Sequence, residues 1–167
     1  MSTKQLRFRK MNESEYNVYC EETIARYAED LIHTGYCNAG DALAQAGEQF
    51  NKALPKGFDT PDARLYAVLN KDNEEVGAIF ILKFQEYVAA IADFITYSVH
   101  RNKGYGLQAL EAIEEELKQE GYKAIILNVF EHNTAARSLY EKFGFIDEPK
   151  AYNAAMKQLL MVKKFGE

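Results

Sequence analysis

The stretch Asp93-Phe94-Ile95-Thr96-Tyr97-Ser98-Val99-His100-Arg101-Asn102-Lys103-Gly104-Tyr105-Gly106 carries a β-rich run into a short basic loop, and then into a helix that opens at paired glycines. The first N–H groups of a helix have no partner inside it. Together with the positive end of the helix dipole they attract anions, phosphate oxygens above all. Glycine has no Cβ, so the backbone can approach such a ligand closely. Arg101 and Lys103 place two cations here in a chain whose net charge is −5.

The neighbouring segments extend the pattern on both sides. Residues 104–120 carry Leu107, Leu110, Ile113 and Leu117 at helical spacing and end at Gly121, a usual helix stop. Residues 123–130 read as a buried strand. Residues 133–143 read as a helix with Ala136, Leu139, Tyr140 and Phe143 on one face and Gly144 after it. Residues 156–165 complete the chain as a last strand. Upstream, 64–69, 76–84 and 88–96 are β-rich runs with short polar links, which implies an antiparallel meander. The link Asn70-Lys71-Asp72-Asn73-Glu74 suits a hairpin loop. Asn12 followed by Glu15 has the character of a capping box and opens a helix to about Ile32. Tyr16, Cys20, Ile24, Tyr27 and Leu31 form its apolar stripe. A second helix, 41–54, ends at Pro55. Residues 5–9 alternate as a first strand. The expected order is strand, two helices, three strands, helix, strand, helix, strand, a mixed α/β domain over 1–167.

Composition narrows the function classes. A chain of 167 residues, 47% of them apolar, suits one domain with a proper core. No window approaches the ~18 apolar residues of a membrane span, and the polar, basic start shows no signal peptide. No membrane partner is expected. Two cysteines, Cys20 and Cys37, make no disulfide framework, so a reduced, cytoplasmic protein is expected. The acidic balance argues against nucleic acid as partner and mildly favours cationic substrates.

The paired glycines admit three readings. They can be turn punctuation before a helix. They fit the dinucleotide pattern G-x-G-x-x-A in Gly104-Tyr105-Gly106-Leu107-Gln108-Ala109, with Glu131 where a ribose-binding acid would be sought. That fingerprint needs its first glycine almost directly after a strand. Here the loop from Tyr97 to Lys103 intervenes, and too little chain follows for a doubly wound sheet. A Walker loop fails because no Gly-Lys-Ser/Thr follows. In the third reading, Arg101-x-x-Gly104-x-Gly106 resembles the R/Q-x-x-G-x-G/A signature of the GNAT superfamily of acyl-CoA-dependent N-acyltransferases. Asn133-x-x-Ala136-x-x-Leu139-Tyr140-x-x-x-Gly144-Phe145 resembles its second block, and the single helix and strand between the two match its arrangement. Thr96 departs from the valine usual at that strand end.

The resemblance implies a GNAT-like fold: a mostly antiparallel sheet of six to seven strands, a splayed parallel pair from the fourth and fifth, and about four helices. It implies acetyl-CoA as acyl donor, with no metal. Phe94, Ile95 and Thr96 would present a strand edge to the pantetheine arm. Arg101, Asn102, Lys103, Gly104, Tyr105 and Gly106 would hold the pyrophosphate through main-chain N–H groups, with the Asn102 and Tyr105 side chains of little consequence. Asn133, Ala136 and Tyr140 would complete the cofactor contacts. Tyr140 would protonate the departing thiolate and Asp93 would accept the amine's proton. The acceptor would be an amine-bearing small molecule or peptide. A homodimer accords with the family's habits.

Each residue also has an ordinary structural role. Tyr140 lies on an apolar helix face, Asn133 stands where an N-cap belongs, and Asp93 suits a structural hydrogen bond. Glu131 and His132 could face the acceptor, and they also fit a solvated loop pair. His33 and His100 read as isolated, without metal-ligand spacing. A non-catalytic acyl-CoA-binding module of the same fold is the alternative function.

Overall fold

A computed structural model describes residues 6–166. The chain runs β1 (Arg7–Lys10), α1 (Glu13–His33), α2 (Ala39–Ala53), β2 (Arg64–Leu69), β3 (Glu75–Gln85), β4 (Val88–Thr96), α3 (Tyr105–Gln119), β5 (Ala124–Phe130), α4 (Thr134–Phe143), β6 (Ile146–Asp147) and β7 (Gln158–Lys164). The seven strands form one sheet in the order β1-β2-β3-β4-β5-β7-β6. Only β4 and β5 run parallel. The fold is the mixed, mostly antiparallel arrangement expected above.

Local chemistry sets the helix ends. Asn12 Oδ1 accepts from the Glu15 N–H at 2.8 Å, and the Asn12 N–H donates to Glu15 Oε1 at 3.0 Å, so the capping box closes both ways. The Arg9 guanidinium donates to both Glu15 oxygens at 2.7 and 2.8 Å, tying β1 to the start of α1. Gly121 and Gly144 follow α3 and α4 with φ of 90° and 111°, the left-handed conformation that ends a helix.

Four differences from the sequence reading have local causes. Helix α2 begins two residues before the expected 41 because Asn38 is its cap: Asn38 Oδ1 accepts from the Asp41 N–H at 3.0 Å. The last strand is shorter than 156–165 because a 3₁₀ turn (Pro149–Ala151) and Lys157 at φ 53° occupy the approach to it. Strand β6 was not foreseen; its two residues are both exposed and offer no alternation to read. In α1 the buried residues are Tyr19, Thr23, Ala28 and Leu31, so the helix is rolled away from the expected stripe, of which only Leu31 is fully covered. Gln5 of the expected first strand lies outside the described residues.

The helices cover the two faces of the sheet. Leu110, Ile113 and Leu117 of α3 pack with Ile79, Ile81, Ile91 and Ile125 on one face, joined by Tyr140 and Phe145. Tyr19 of α1 packs with Leu54, Ala78 and Phe80 on the other. Near the end of β5, Phe130 joins Ala28 and Leu31 of α1 and Ala42 and Ala46 of α2.

The feature that positions the site is a break in strand pairing. Strands β4 and β5 pair from Val88↔Ala124 to Ile91↔Leu127 and no further. Beyond that, β4 continues to Thr96 on β3 alone, and β5 continues to Phe130 on β7 alone. A bulge begins the divergence: Phe80 faces Asp93 and Ile81 faces Ile91, which leaves Ala92 as an extra residue.

Two predictions follow from this packing. A Cβ at Gly77 would stand 2.2 Å from the Ile95 carbonyl oxygen, a backbone atom that cannot yield. Gly77→Ala is therefore expected to cost about 3 kcal/mol and lower Tm by roughly 6–12 °C, read by thermal unfolding. The Glu15 carboxyl is pulled from its ordinary 4.5 down to about 2, first by Arg9 and then by the Asn12 amide. A depressed carboxyl stabilises the fold above its unfolded pKa and loses that contribution as pH falls toward its folded one. The stability gap between wild type and Glu15→Gln, no more than about 1 kcal/mol at neutral pH, should therefore close between about pH 4.5 and 2 in urea titrations.

Candidate active site

The wall of the split on the β4 side is Phe94, Ile95 and Thr96, all half-buried. Phe94 packs toward α3 and Ile95 toward α1, as strand alternation requires. Their main-chain groups on the β5 side have no ladder partner. The Thr96 carbonyl is the exception: Arg101 Nε donates to it at 2.9 Å, folding that side chain back over the strand end.

Beyond Thr96 the chain makes a 3₁₀ turn (Ser98–His100) and then the basic loop. Asn102 and Gly104 take φ of 63° and 82°, so the loop curls back on itself into the first turn of α3. Asparagine and glycine are the residues that tolerate this region. Among the described residues no hydrogen bond leaves the main-chain N–H groups of Asn102, Lys103, Gly104, Tyr105, Gly106 or Leu107. Two buried polar atoms without partners flank them, His100 Nδ1 and Gln108 Oε1. A Cβ on Gly106 would stand 3.0 Å from Leu139 Cδ2, so this glycine also lets α3 approach α4. Lys103 is exposed. Tyr105 is not the indifferent side chain expected: its ring packs on the core and its hydroxyl lies 3.3 Å from Asn70 Nδ2.

On the α4 side, Asn133 caps the helix, its Oδ1 accepting from the Ala136 N–H at 3.2 Å. Ala136 is half-buried against the core. Tyr140 is 7% exposed, with its ring edge-on to Phe145 at 5.6 Å. Burial, and after it the charge of Asp93, push its phenol well above the ordinary tyrosine value. The two residues sit on opposite faces of the sheet, and the split is what brings them within electrostatic reach.

Asp93 itself is engaged from the α1 face. Tyr19 donates its hydroxyl at 2.6 Å, and Arg26 donates through Nη1 and Nη2 at 3.3 and 3.2 Å. Its two oxygens therefore already serve three donors. One helical turn beyond Arg26, Asp30 Oδ1 lies 2.8 Å from His132 Nε2, just past the end of β5. His132 stacks on Phe130 at 5.5 Å and against His33 at 4.1 Å. His33 is thus not isolated, contrary to the sequence reading. Glu131 is exposed and accepts from the Tyr152 hydroxyl at 3.3 Å.

Tyr19, Arg26 and Asp30 were not singled out from the sequence. They recur at i, i+7 and i+11 along α1, a polar line beside the apolar stripe, which was the available signal. Among the described residues no group of three or more His, Cys, Asp or Glu is arranged to hold a metal ion. No helix among them is long and apolar enough to cross a membrane.

Comparison with known proteins agrees with this geometry. The profile of the Acetyltransferase (GNAT) family matches residues 22–145. The uncharacterized N-acetyltransferase YycN of Bacillus subtilis strain 168 is 34% identical over 138 residues, covering 81% of this chain and 88% of YycN. The crystal structure of YycN superposes with a TM-score of 0.81 at 32% identity, over 86% of this chain and 93% of that one. The PaiA N-acetyltransferase of Thermoplasma acidophilum, solved with coenzyme A, shares the fold at a TM-score of 0.68 and 19% identity, over 99% and 100% of the two chains. The spermidine N-acetyltransferase of Vibrio cholerae, solved with CoA and spermine, does so at 0.65 and 17%, over 97% and 96%. The chain is a member of the acetyltransferase (GNAT) family.

Proposed function

We propose that this chain transfers the acetyl group of acetyl-CoA directly to a primary amine on a small molecule or peptide. The observation that carries the reading is the split between β4 and β5, with unused loop amides at its mouth and Tyr140 at its side. The free edge of Phe94 to Thr96 offers strand-like hydrogen bonds to an extended amide-bearing arm, as in β-augmentation. Six unpaired amides in a left-handed curl suit a diphosphate. The buried, unpartnered His100 Nδ1 and Gln108 Oε1 support a polar occupant of the loop. The fold neighbours solved with CoA support the same donor.

A carbonyl held against the free β4 edge meets main-chain N–H groups that can stabilise a developing oxyanion. Tyr140, protonated at any working pH, supplies the proton that a departing thiolate takes. Asn133 spends its oxygen on the cap and keeps its side-chain amide N–H groups for the donor, so capping and binding coincide in one residue. Asp93, the acid expected to accept the amine's proton, lies at the split and holds Arg26 and Tyr19 in place.

Release of free thiol from acetyl-CoA across a panel of amines tests the proposal. Turnover of any amine supports it, and CoA binding without turnover would leave a binding module. Tyr140→Phe should lower kcat at least about tenfold with CoA affinity nearly unchanged; wild-type turnover would remove the phenol from the reaction. Gly106→Ala asks Leu139 to move by only a few tenths of an ångström. It should keep Tm close to wild type while weakening CoA binding about tenfold or more by calorimetry.

A further inference from the structure

We propose that His132, oriented by Asp30, accepts the proton of the incoming ammonium group in place of Asp93; the inference rests on the acetyltransferase reading of the split. Arg26 and Asp30 are four residues apart on α1, so they share a face about 6 Å apart. The first binds Asp93 on β4 and the second binds His132 just after β5. Asp93 and His132 are therefore both engaged from the α1 side of the sheet, one on β4 and the other just past the end of β5.

The two groups differ in what they have free. Both oxygens of Asp93 accept from the Arg26 guanidinium and one of them also from Tyr19, which leaves a single lone-pair site on a carboxylate already paired with a cation. His132 has one ring nitrogen occupied and one open. A carboxylate only accepts, so the Asp30 contact assigns the hydrogen to Nε2 and leaves the Nδ1 lone pair. Among the described residues Nδ1 has no hydrogen-bond partner. Phe130, stacked at 5.5 Å, and His33, tilted at 4.1 Å, both pack against the ring. The side chain is 27% exposed, open enough to touch a substrate. A base with one nitrogen fixed by a carboxylate and the other open is the arrangement general-base catalysis uses. The charged or titratable neighbours are Asp30 and His33 of α1, adjacent Glu131, Arg137 of α4, which binds the Glu131 carbonyl, and Tyr152, which binds the Glu131 carboxylate.

The protons balance. An N–H bond of the ammonium breaks to His132 Nδ1, giving an imidazolium and a neutral amine. The amine lone pair forms the N–C bond at the thioester carbonyl. The C–S bond breaks and sulfur takes the Tyr140 proton. The surplus proton on nitrogen then restores the Tyr140 phenol, and His132 passes its own proton to solvent. One proton is released for each acetyl group transferred.

The test is the pH dependence of kcat/KM with the best amine from the panel, in wild type, His132→Gln and Asp30→Asn. Gln at 132 keeps an N–H for Asp30 but carries no base. The expected result is a loss of at least about tenfold near pH 7 that shrinks as rising pH supplies free amine, with the KM for acetyl-CoA and Tm unchanged. Asp30→Asn, which removes a positioning residue, should fall between the two. A His132→Gln profile parallel to wild type at every pH would overturn the proposal, because a purely structural contact does not alter its shape. If the variant fails to fold, ¹⁵N NMR of the three histidines of the wild-type chain decides. The Nε2–H tautomer at His132 supports the proposal and the Nδ1–H tautomer refutes it. Absence of turnover on every amine by wild type would instead remove the acetyltransferase reading itself.

Discussion

The structure depends on a parallel strand pair that is abandoned after four residues on each side. Leaving backbone N–H and C=O groups unpaired inside a sheet is costly, about 1–3 kcal/mol for each group that stays buried and unsatisfied. The chain limits that cost locally. The bulge at Ala92 turns the rest of β4 away while its pairing with β3 stays intact as far as Thr96. Arg101 satisfies the last carbonyl. What remains open is a short strand edge, so on the proposed reading the defect in the sheet and the binding surface are one feature.

Keeping such a gap at constant width needs a brace, and α1 supplies it. Within one helical turn it attaches to β4 through Arg26 and to the loop after β5 through Asp30. Its first turn is fixed by the Asn12–Glu15 box and by Arg9 of β1. The opposite face is closed by α3 and α4, which the absence of a Cβ at Gly106 allows to approach at Leu139. The start of α3 after the basic loop and the helix bearing Tyr140 are therefore in close contact.

Much of this was legible in the sequence. Strands β2 and β4 fall on the residues that alternation and the polar hairpin link marked, and Gly121 and Gly144 stop their helices as their chemistry requires. The parallel pair was expected only through the family resemblance carried by the Arg101–Gly106 and Asn133–Phe145 motifs. What could not be read were pairings between distant positions. Asp93 meets Tyr19 and Arg26 across separations of 74 and 67 residues, and His132 meets Asp30 across 102. Periodicity locates a face of α1 but not which strand that face covers. The roll of α1 away from its expected stripe has the same origin: Tyr19 and Thr23 are buried because polar partners await them, which a count of apolar residues misses.

Asp93 keeps a part in the chemistry even where it accepts no proton. Its charge is the second cause, after burial, that holds the Tyr140 phenol in its protonated form. Arg26 pairs with Asp93, and removing either partner would strand the other in a half-buried site. In the proposed mechanism the Arg26–Asp93 pair would act on the acid across the split, while Asp30, one turn along the same helix, would orient the base.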